Sequence, residues 1–216
     1  MLTIFDKLLI LSLHEEECTI LRSISKRVEL GVGGAILAEL ALLGKVGVVS
    51  SRKLEIVDSG ETGDEILDKA INRFLQFKQR RKVSYCIELL SDEYGKHRKK
   101  LVGRLVPAGV LNSGEEGLTW VMPFADSPNP NASAKYIIKS HLRELVLTRA
   151  EPELADLALL DLAKACKLLS LIFTKDERKS AQRWIYSWVM SKALNDITAQ
   201  SLQDIGVSVD SLMENS

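Results

Sequence analysis

The most constraining feature of the sequence is the segment Gly31–Leu43, which is apolar throughout except for Glu39. Its 13 residues are too few to span a bilayer, because a transmembrane helix needs about 20. Gly44 follows and is expected to end the helix. A helix that is apolar on all sides must be surrounded by other helices. The segment therefore predicts a soluble, mostly helical fold with this helix at its centre.

Length and composition indicate one domain. The chain has 216 residues, of which 46% are apolar and 27% charged, as in ordinary globular proteins. We expect a single domain over residues 1–208, with 209–216 as a candidate disordered tail. Basic and acidic residues balance at 29 each, so an anionic partner must be met by a local basic patch. Cys18, Cys86 and Cys166 are widely spaced, which favours buried, reduced thiols and a cytosolic setting.

Apolar periodicity and turn signals predict the elements around the central helix. The predicted helices are Leu2–Leu13, Tyr94–Ala108, a largely buried Glu153–Phe173, and a last long helix in which Trp184 and Trp188 face the core. Thr62 and Glu65 have the spacing of a capping box and predict a helix start there. Short hairpins are expected around Ser50–Lys53 and between Leu111 and Phe124, where polar turns lie between apolar flanks.

Residues typical of catalytic or metal sites form no recognisable pattern in the sequence. His14, His97 and His141 are scattered and lack the spacing of a zinc helix. The glycines of Gly31–Gly34 lack the third glycine of a dinucleotide fingerprint, whose place Ile36 takes, and they indicate close helix packing instead. No nucleophile with a neighbouring base can be picked out. The sequence therefore predicts a binding protein that is not an enzyme and uses no metal or cofactor.

Four segments form a distinctive series along the chain. They are the opening helix Leu2–Leu13, the helix Gly34–Val46, the helix start Thr62–Ala70 and the segment Leu105–Leu111 before a hairpin. Over residues 1–175 this series resembles the Golgi phosphoprotein 3 family. The resemblance implies an all-α fold, in which amphipathic helices ring a buried hydrophobic helix pair and a small β-hairpin protrudes.

The same resemblance implies a function. Eukaryotic members of that family bind phosphatidylinositol 4-phosphate on membranes and recruit glycosyltransferase tails. The family's lipid pocket uses a Trp and an Arg near the signature helix, and two further Arg ahead of the hairpin. Matched by position, the Trp falls on Ile24 and the first Arg on Gly33. The Arg pair falls on Gly95 and Arg98, so that only Arg98 is retained.

Other basic residues lie near these positions in the sequence. Lys26 and Arg27 flank the missing Trp, as does Arg22, while Lys96, Lys99, Lys100 and Arg104 surround Arg98. Near an anionic leaflet, each basic residue contributes about 1 kcal/mol to docking. We take Arg98, Lys96, Lys26 and Arg27 as candidate residues for binding a lipid head group. The alternative is that they are ordinary solvated helix faces.

The second hairpin is another candidate surface. Its apolar residues are Leu118, Trp120, Val121, Met122 and Phe124. If they are exposed, they indicate self-association or shallow insertion into lipid. The alternative is packing against the core, because a two-stranded ribbon is stable only when one face is covered.

These patterns together favour a non-enzymatic peripheral membrane or adaptor protein of the cytoplasm. Its expected partners are a phosphoinositide or other anionic lipid, protein clients, and further copies of itself. Two alternatives stay open. One is a winged-helix nucleic-acid binder with Tyr94–Ala108 as its helix and the hairpin as its wing, although the zero net charge argues against it. The other is a protein-interaction scaffold with no lipid site.

Overall fold

The computed structural model describes residues 2–14, 18, 20, 24–95, 98–114, 117–121 and 133–215. The helices, numbered α1 to α9 along the chain, are Ile4–Ser12, Ser25–Leu42, Glu65–Leu75, Val83–Gly95, Arg98–Gly103, Ala134–Thr148, Leu154–Ala165, Lys175–Ala193 and Ile197–Glu214. The strands β1 to β4 are Val46–Val49, Lys53–Ile56, Leu111–Gly114 and Gly117–Trp120. The predicted all-α class is confirmed, with two small antiparallel hairpins added to the helices.

Helix α2 lies at the centre, and α1, α4, α7 and α9 pack around it. Every residue from Leu30 to Ala38 is buried. Gly33 lies against the backbone of Ile87 in α4, and Gly34 lies against Val209 in α9. Because glycine has no Cβ, the helices approach one another more closely there, so the prediction of close helix packing is confirmed. Within the described ranges, no helix combines the length and apolarity needed to cross a membrane.

Helix α7 is the second buried helix, and its residues Asp156 to Ala163 are all buried. The predicted pair of buried helices is therefore confirmed. The second helix is shorter than the predicted Glu153–Phe173, because it ends at Ala165 and a 3-10 turn follows at Leu169–Leu171. Lys167 lies between α7 and this 3-10 turn and has a φ of 58°. A right-handed helix cannot continue through this left-handed backbone conformation.

Both predicted hairpins form. In the first, Val46 pairs with Ile56 and Val49 pairs with Lys53. The turn between these strands contains Ser51 and Arg52, whose φ angles are 63° and 51°. In the second hairpin, Leu111 pairs with Trp120 and Gly114 with Gly117.

The predicted capping box at Thr62 and Glu65 is wrong. The N-cap of α3 is Asp64, whose carboxylate accepts hydrogen bonds from the backbone N–H of Ile66 (2.8 Å) and of Leu67. The Thr62 hydroxyl instead donates to the Asp68 carboxylate at 2.7 Å. An aspartate is as good a cap as a threonine, and here it lies one residue before the helix.

The predicted helix Tyr94–Ala108 forms only in part. Helix α4 extends to Gly95, and the separate α5 covers only Arg98–Gly103. Glycine lowers helix propensity at both ends, and Pro107 disfavours helical backbone at the residue before it. The described part of this region therefore contains a helix of only 6 residues, shorter than the one that the winged-helix alternative uses.

The C-terminal region contains two helices where one long helix was expected. Helix α8 ends at Ala193, and Asp196 caps α9 by accepting a 2.9 Å hydrogen bond from the Ala199 N–H. The structure also differs from the expected disordered tail, because α9 continues to Glu214 and Val209 is fully buried against Gly34 of α2. Trp184 and Trp188 are half-buried and pack against the core, with ring centroids 6.1 Å apart.

Candidate functional site

The basic residues predicted around the head-group site fall into two groups. Lys26 and Arg27, the α2 basic pair, are exposed in the first turn of α2. Arg98, Lys99 and Lys100 are the first three residues of α5. Lys99 and Lys100 are exposed, and we call them the α5 basic surface. Arg22 and Lys96 lie outside the described residues, as does the side chain of Arg98.

The two basic groups lie towards opposite ends of α2. Glu39, near the end of α2, accepts a hydrogen bond from the backbone N–H of Ile4 in α1. Arg104, just after α5, forms an ion pair with Asp6 of the same α1 turn. A helix rises about 1.5 Å per residue, so Lys26 and Glu39 are about 20 Å apart along α2. The structure does not bring the α2 basic pair into the neighbourhood of Arg104.

The positions matched to the family's lipid pocket have different roles here. Gly33 is buried, and a Cβ on it would lie 2.7 Å from the backbone oxygen of Ile87. No larger side chain fits there unless α4 moves. Ile24 is the N-cap of α2 and is partly buried, while Gly95 is the last residue of α4. These three positions supply no charged side chain.

A cleft of about 460 Å³ opens between α3, α4 and α5, beside the α5 basic surface. Tyr94, Leu101 and Pro107 contribute its apolar lining, and Lys69, Lys100 and Arg104 its cationic groups. The Tyr94 hydroxyl donates to the backbone oxygen of Ile66 at 3.3 Å. Burial raises the pKa of the Tyr94 phenol, so Tyr94 stays neutral. The cleft therefore combines an apolar lining with charged walls.

Arg104 joins three elements at the edge of this cleft. Its Nε lies 2.9 Å from Asp6 of α1, its Nη2 lies 2.6 Å from Asp64 at the start of α3, and its guanidinium lies 4.4 Å from the centre of the Phe5 ring. Burial alone would raise the pKa of Asp64, but the hydrogen bonds from Arg104 and from two backbone N–H groups outweigh it, and the pKa is lowered. Arg104 thus pairs with two carboxylates and links α1 to α3, so it is not available to bind a ligand.

Glu65 holds the two lysines of the cleft. It forms a short ion pair with Lys69, one turn further along α3, and lies 3.7 Å from Lys100. The Lys69 hydrogen bond, followed by the charges of Lys100 and Lys69, lowers the pKa of Glu65. All three side chains are more than half exposed. Solvent therefore screens these pairs, and the lysines are free to rearrange around a ligand.

The second hairpin is covered on one side. Leu111 is buried and Leu118 packs against the core. Val121 is partly buried, and its backbone N–H donates to the oxygen of Val110 at 3.0 Å. Met122, Phe124 and the Trp120 side chain lie outside the described residues. The described apolar residues of the hairpin therefore contribute at least partly to the core.

The described residues include a histidine–aspartate pair and three buried thiols, but no metal-binding cluster. In that part of the chain, no cluster of three His, Cys, Asp or Glu side chains could hold a metal ion. His141 pairs with Asp156 at 2.8 Å on the α6–α7 side. The three thiols are buried, and burial raises the pKa of Cys86 to about 12.

Sequence reasoning named Lys100 and Arg104 only as neighbours of Arg98, and it missed the pairing of Arg104 with Asp6 and Asp64. Arg104 and Asp64 are 40 positions apart, and Arg104 and Asp6 are 98 apart. The sequence contains only local signals for these residues. They are the Thr3–Asp6 capping box, which fixes Asp6 at the start of α1, and the acidic residues around Gly63.

Comparison with known proteins gives two similarities. The sequence profile of the family described as Golgi phosphoprotein 3 (GPP34) matches residues 4–205 of the chain. Vacuolar protein sorting-associated protein 74 of Eremothecium gossypii is 26% identical over 168 residues, which cover 68% of this chain and 50% of that protein. The chain thus spans about half the length of this curated relative.

Proposed function

The chain belongs to the Golgi phosphoprotein 3 family, and on that premise we propose that it is a peripheral membrane adaptor that acts as a single domain. It docks on anionic lipid at the cytoplasmic face of a membrane. It works by binding and not by catalysis.

The observation that carries this proposal is the α5 basic surface beside an open cleft. Lys96, Arg98, Lys99 and Lys100 are four basic residues within five positions. Lys99 and Lys100 are exposed, and Lys100 also lines the cleft. At about 1 kcal/mol for each basic residue near an anionic leaflet, such a run supports reversible docking. The neighbouring cleft offers room for a head group between Lys69, Lys100 and the Tyr94 ring.

Recognition of the head group is expected to depend on charge more than on shape. A pocket specific for phosphate uses guanidinium forks that make paired hydrogen bonds. At the matched positions this chain has Ile24, Gly33 and Gly95, and Gly33 has no space for a side chain. We therefore propose that the α5 basic surface binds a phosphoinositide better than phosphatidylserine only in proportion to the larger negative charge of the phosphoinositide.

The adaptor role needs a second partner. The exposed residues Asn112–Gly114 of the second hairpin, together with the apolar residues that follow β4, are the proposed contact with protein clients or with another copy of the chain. Support for a binding role over a catalytic one comes from the thiols, since a buried thiol with a raised pKa is a poor nucleophile.

Liposome flotation tests the lipid proposal. The wild type is compared with the double variant Lys99→Glu/Lys100→Glu and with Lys26→Glu/Arg27→Glu, which carries the same charge change on the α2 basic pair. Lys179→Glu/Arg183→Glu, on exposed positions of α8, is the matched control. Vesicles are neutral, or contain phosphatidylserine or phosphatidylinositol 4-phosphate at equal total charge.

We expect the wild type and the α8 control to float with both anionic vesicles, and the α5 variant to stay in solution. Loss of flotation in the α2 variant alone would show that docking uses the α2 basic pair and not the α5 basic surface. Absence of flotation with every vesicle would refute lipid docking and favour a protein-interaction scaffold. Capture of duplex DNA with a steep dependence on salt would instead favour the nucleic-acid alternative.

A further inference from the structure

A second cavity, of about 360 Å³, lies where the turn of the first hairpin meets the start of α4 and one face of α9. Its lining consists of Ser51, Arg52, Lys82, Ser84, Ser208 and Ser211. Two cationic side chains and four hydroxyls, drawn from three separate elements, therefore converge on one space. Neither the family resemblance nor the proposed lipid docking involves any of these residues.

The fold concentrates basic residues around this cavity. The basic stretch before α4 is held against the hairpin by an antiparallel bridge between Lys53 and Lys82, and by a 2.9 Å hydrogen bond from the Val83 N–H to the Arg52 oxygen. The exposed basic residues that these contacts bring to the hairpin are Arg52, Lys53, Arg80, Arg81 and Lys82. Two carboxylates balance part of this charge: Asp204 binds Arg52 at 3.0 Å, and Glu55 binds Arg80. A surplus of positive charge results.

The cationic groups at the cavity itself are available for a ligand. Asp204 accepts a hydrogen bond only from the Nε of Arg52. The two terminal nitrogens of the Arg52 guanidinium have no bond to any described residue. The Lys82 ammonium likewise has no ion pair within the described chain. A guanidinium presents its terminal N–H groups as a fork that matches two oxygens of one anion.

The hydroxyls add directional donors. Ser208 and Ser211 are three residues apart on α9 and so lie on one face of that helix. The Ser208 hydroxyl donates to the backbone oxygen of Asp204 at 2.7 Å, which leaves Ser51, Ser84 and Ser211 as the hydroxyl donors for a ligand. Ser84 lies in the first turn of α4, where the helix dipole adds partial positive charge.

We propose that this cavity binds a phosphate monoester. Such a group carries close to two negative charges at neutral pH and three strong acceptor oxygens. The Arg52 fork, the Lys82 ammonium and the three hydroxyls supply matching charge and donors. A phosphate diester or a carboxylate has less charge and fewer acceptor oxygens, and it fits the same groups less well. The source of the monoester is either a soluble molecule or a lipid head group.

This proposal is independent of lipid docking at α5. The cavity lies at the first residues of α4, while the α5 basic surface follows its last residue. The 13 residues of α4 separate the two places by about 20 Å at 1.5 Å per residue.

Isothermal titration calorimetry on the full chain tests the site with inorganic phosphate and glycerol 3-phosphate. A vesicle arm compares phosphatidic acid, a lipid monoester, with phosphatidylglycerol, a diester. The variants are Lys82→Ala, and the charge-neutral changes Ser84→Ala and Ser211→Ala. Lys179→Ala on α8 is the control for lost positive charge, and circular dichroism checks that each variant is folded.

We expect saturable binding of a monoester that weakens about tenfold in Lys82→Ala, as for loss of one charge-assisted hydrogen bond, and several-fold in each serine variant. Binding of glycerol 3-phosphate assigns a soluble ligand. A preference for phosphatidic acid that is lost in Lys82→Ala, without binding of the soluble probes, assigns a lipid head group.

Other results overturn the proposal. One is the absence of monoester binding in both arms. Another is loss of binding in Lys82→Ala with no change in either serine variant. That result would mean that the anion is attracted by positive charge alone and makes no specific hydrogen bonds to the serines. A duplex oligonucleotide that binds through Lys82 while no monoester does would also overturn it. Flotation of the α5 variant with phosphatidylserine vesicles, which contain no phosphate monoester, decides the lipid-docking proposal separately.

Discussion

The backbone N–H of Ile4 donates a 2.7 Å hydrogen bond to the Glu39 carboxylate, and this bond ties the start of α1 to the central helix α2. Glu39 is the one charged residue of the apolar segment Gly31–Leu43. The first N–H groups of a helix have no partner within the helix, so Glu39 satisfies a donor that burial would otherwise leave unpaired. Burial raises the pKa of Glu39, and the Ile4 N–H opposes that rise only in part.

Glu39→Leu removes the acceptor, and we expect it to lower the free energy of unfolding by about 1–3 kcal/mol, the cost of an unsatisfied buried donor. Glu39→Gln keeps an oxygen acceptor and should cost less. Urea denaturation measures both. Equal losses in the two variants would contradict the assigned role of the hydrogen bond.

The same carboxylate makes stability depend on pH. The folded pKa of Glu39 lies above its ordinary value of 4.5, so the folded state holds the proton more tightly than the unfolded state. The contribution of Glu39 to the free energy of unfolding therefore falls as pH rises through 4.5 towards the folded pKa, and is constant above it. Glu39→Gln should lack this component when urea midpoints are compared across that window.

The central helix was predictable and the cleft was not. The burial of Gly31–Leu43 follows from the sequence alone, because a run of apolar and small residues broken only by Glu39 specifies burial on nearly every side. The pairing of Arg104 with Asp6 and Asp64 depends on how α1, α3 and α5 come together, and no local pattern encodes it. The helix predicted over Tyr94–Ala108 was too long, because Leu101, Val102 and Leu105 keep helical spacing beyond Gly103, where α5 ends.

Removal of Arg104 should be far more costly than removal of an exposed arginine. Arg104→Ala leaves the Asp6 side chain, which is 4% exposed, without its counter-ion, and loss of one partner of a buried pair costs about 3–5 kcal/mol. Arg52→Ala breaks the exposed pair with Asp204, and we expect a loss below about 1 kcal/mol. Thermal and urea unfolding of the two variants measure the difference. Similar losses would show that Asp6 finds another partner.

Asp64 should stabilise the fold only when it is ionised. Its pKa is lowered from the ordinary 3.8, so its contribution is present above 3.8 and is lost as pH falls through the folded pKa. Asp64→Asn keeps an efficient N-cap but loses the charge that faces Arg104. We expect the variant to be less stable than the wild type at neutral pH, and the gap to close in acid. A gap that stays constant across this range would assign the effect to capping alone.

Gly33 should not tolerate even one methyl group. A Cβ there would lie 2.7 Å from the Ile87 backbone oxygen, and overpacking of this kind costs about 1–3 kcal/mol. This outweighs the gain of up to about 1 kcal/mol in helix propensity on replacing glycine by alanine. A Cβ on Gly103 in α5 would meet no described atom within 4 Å, so Gly103→Ala should be neutral or stabilising. Opposite signs of the two changes in urea denaturation are the expected result.

Gly206 and Asp161 should be energetically coupled. A Cβ on Gly206 would lie 2.1 Å from Asp161 Oδ2, so Gly206→Ala forces the carboxylate away from α9. Asp161 is buried, with Lys164 at 2.6 Å, and burial raises its pKa. Displacement of this carboxylate therefore disturbs an ion pair in a position that has little room.

A double-mutant cycle measures this coupling. Gly206→Ala alone should cost about 1–3 kcal/mol. In the Asp161→Ala background the clash is absent, and the same change should cost little or gain helix propensity. Lys164, whose side chain is 28% exposed, can then turn to solvent and needs no other partner. We expect a coupling energy of at least about 1 kcal/mol between the two sites, whereas strictly additive losses would mean that α7 and α9 separate to make room for the methyl group.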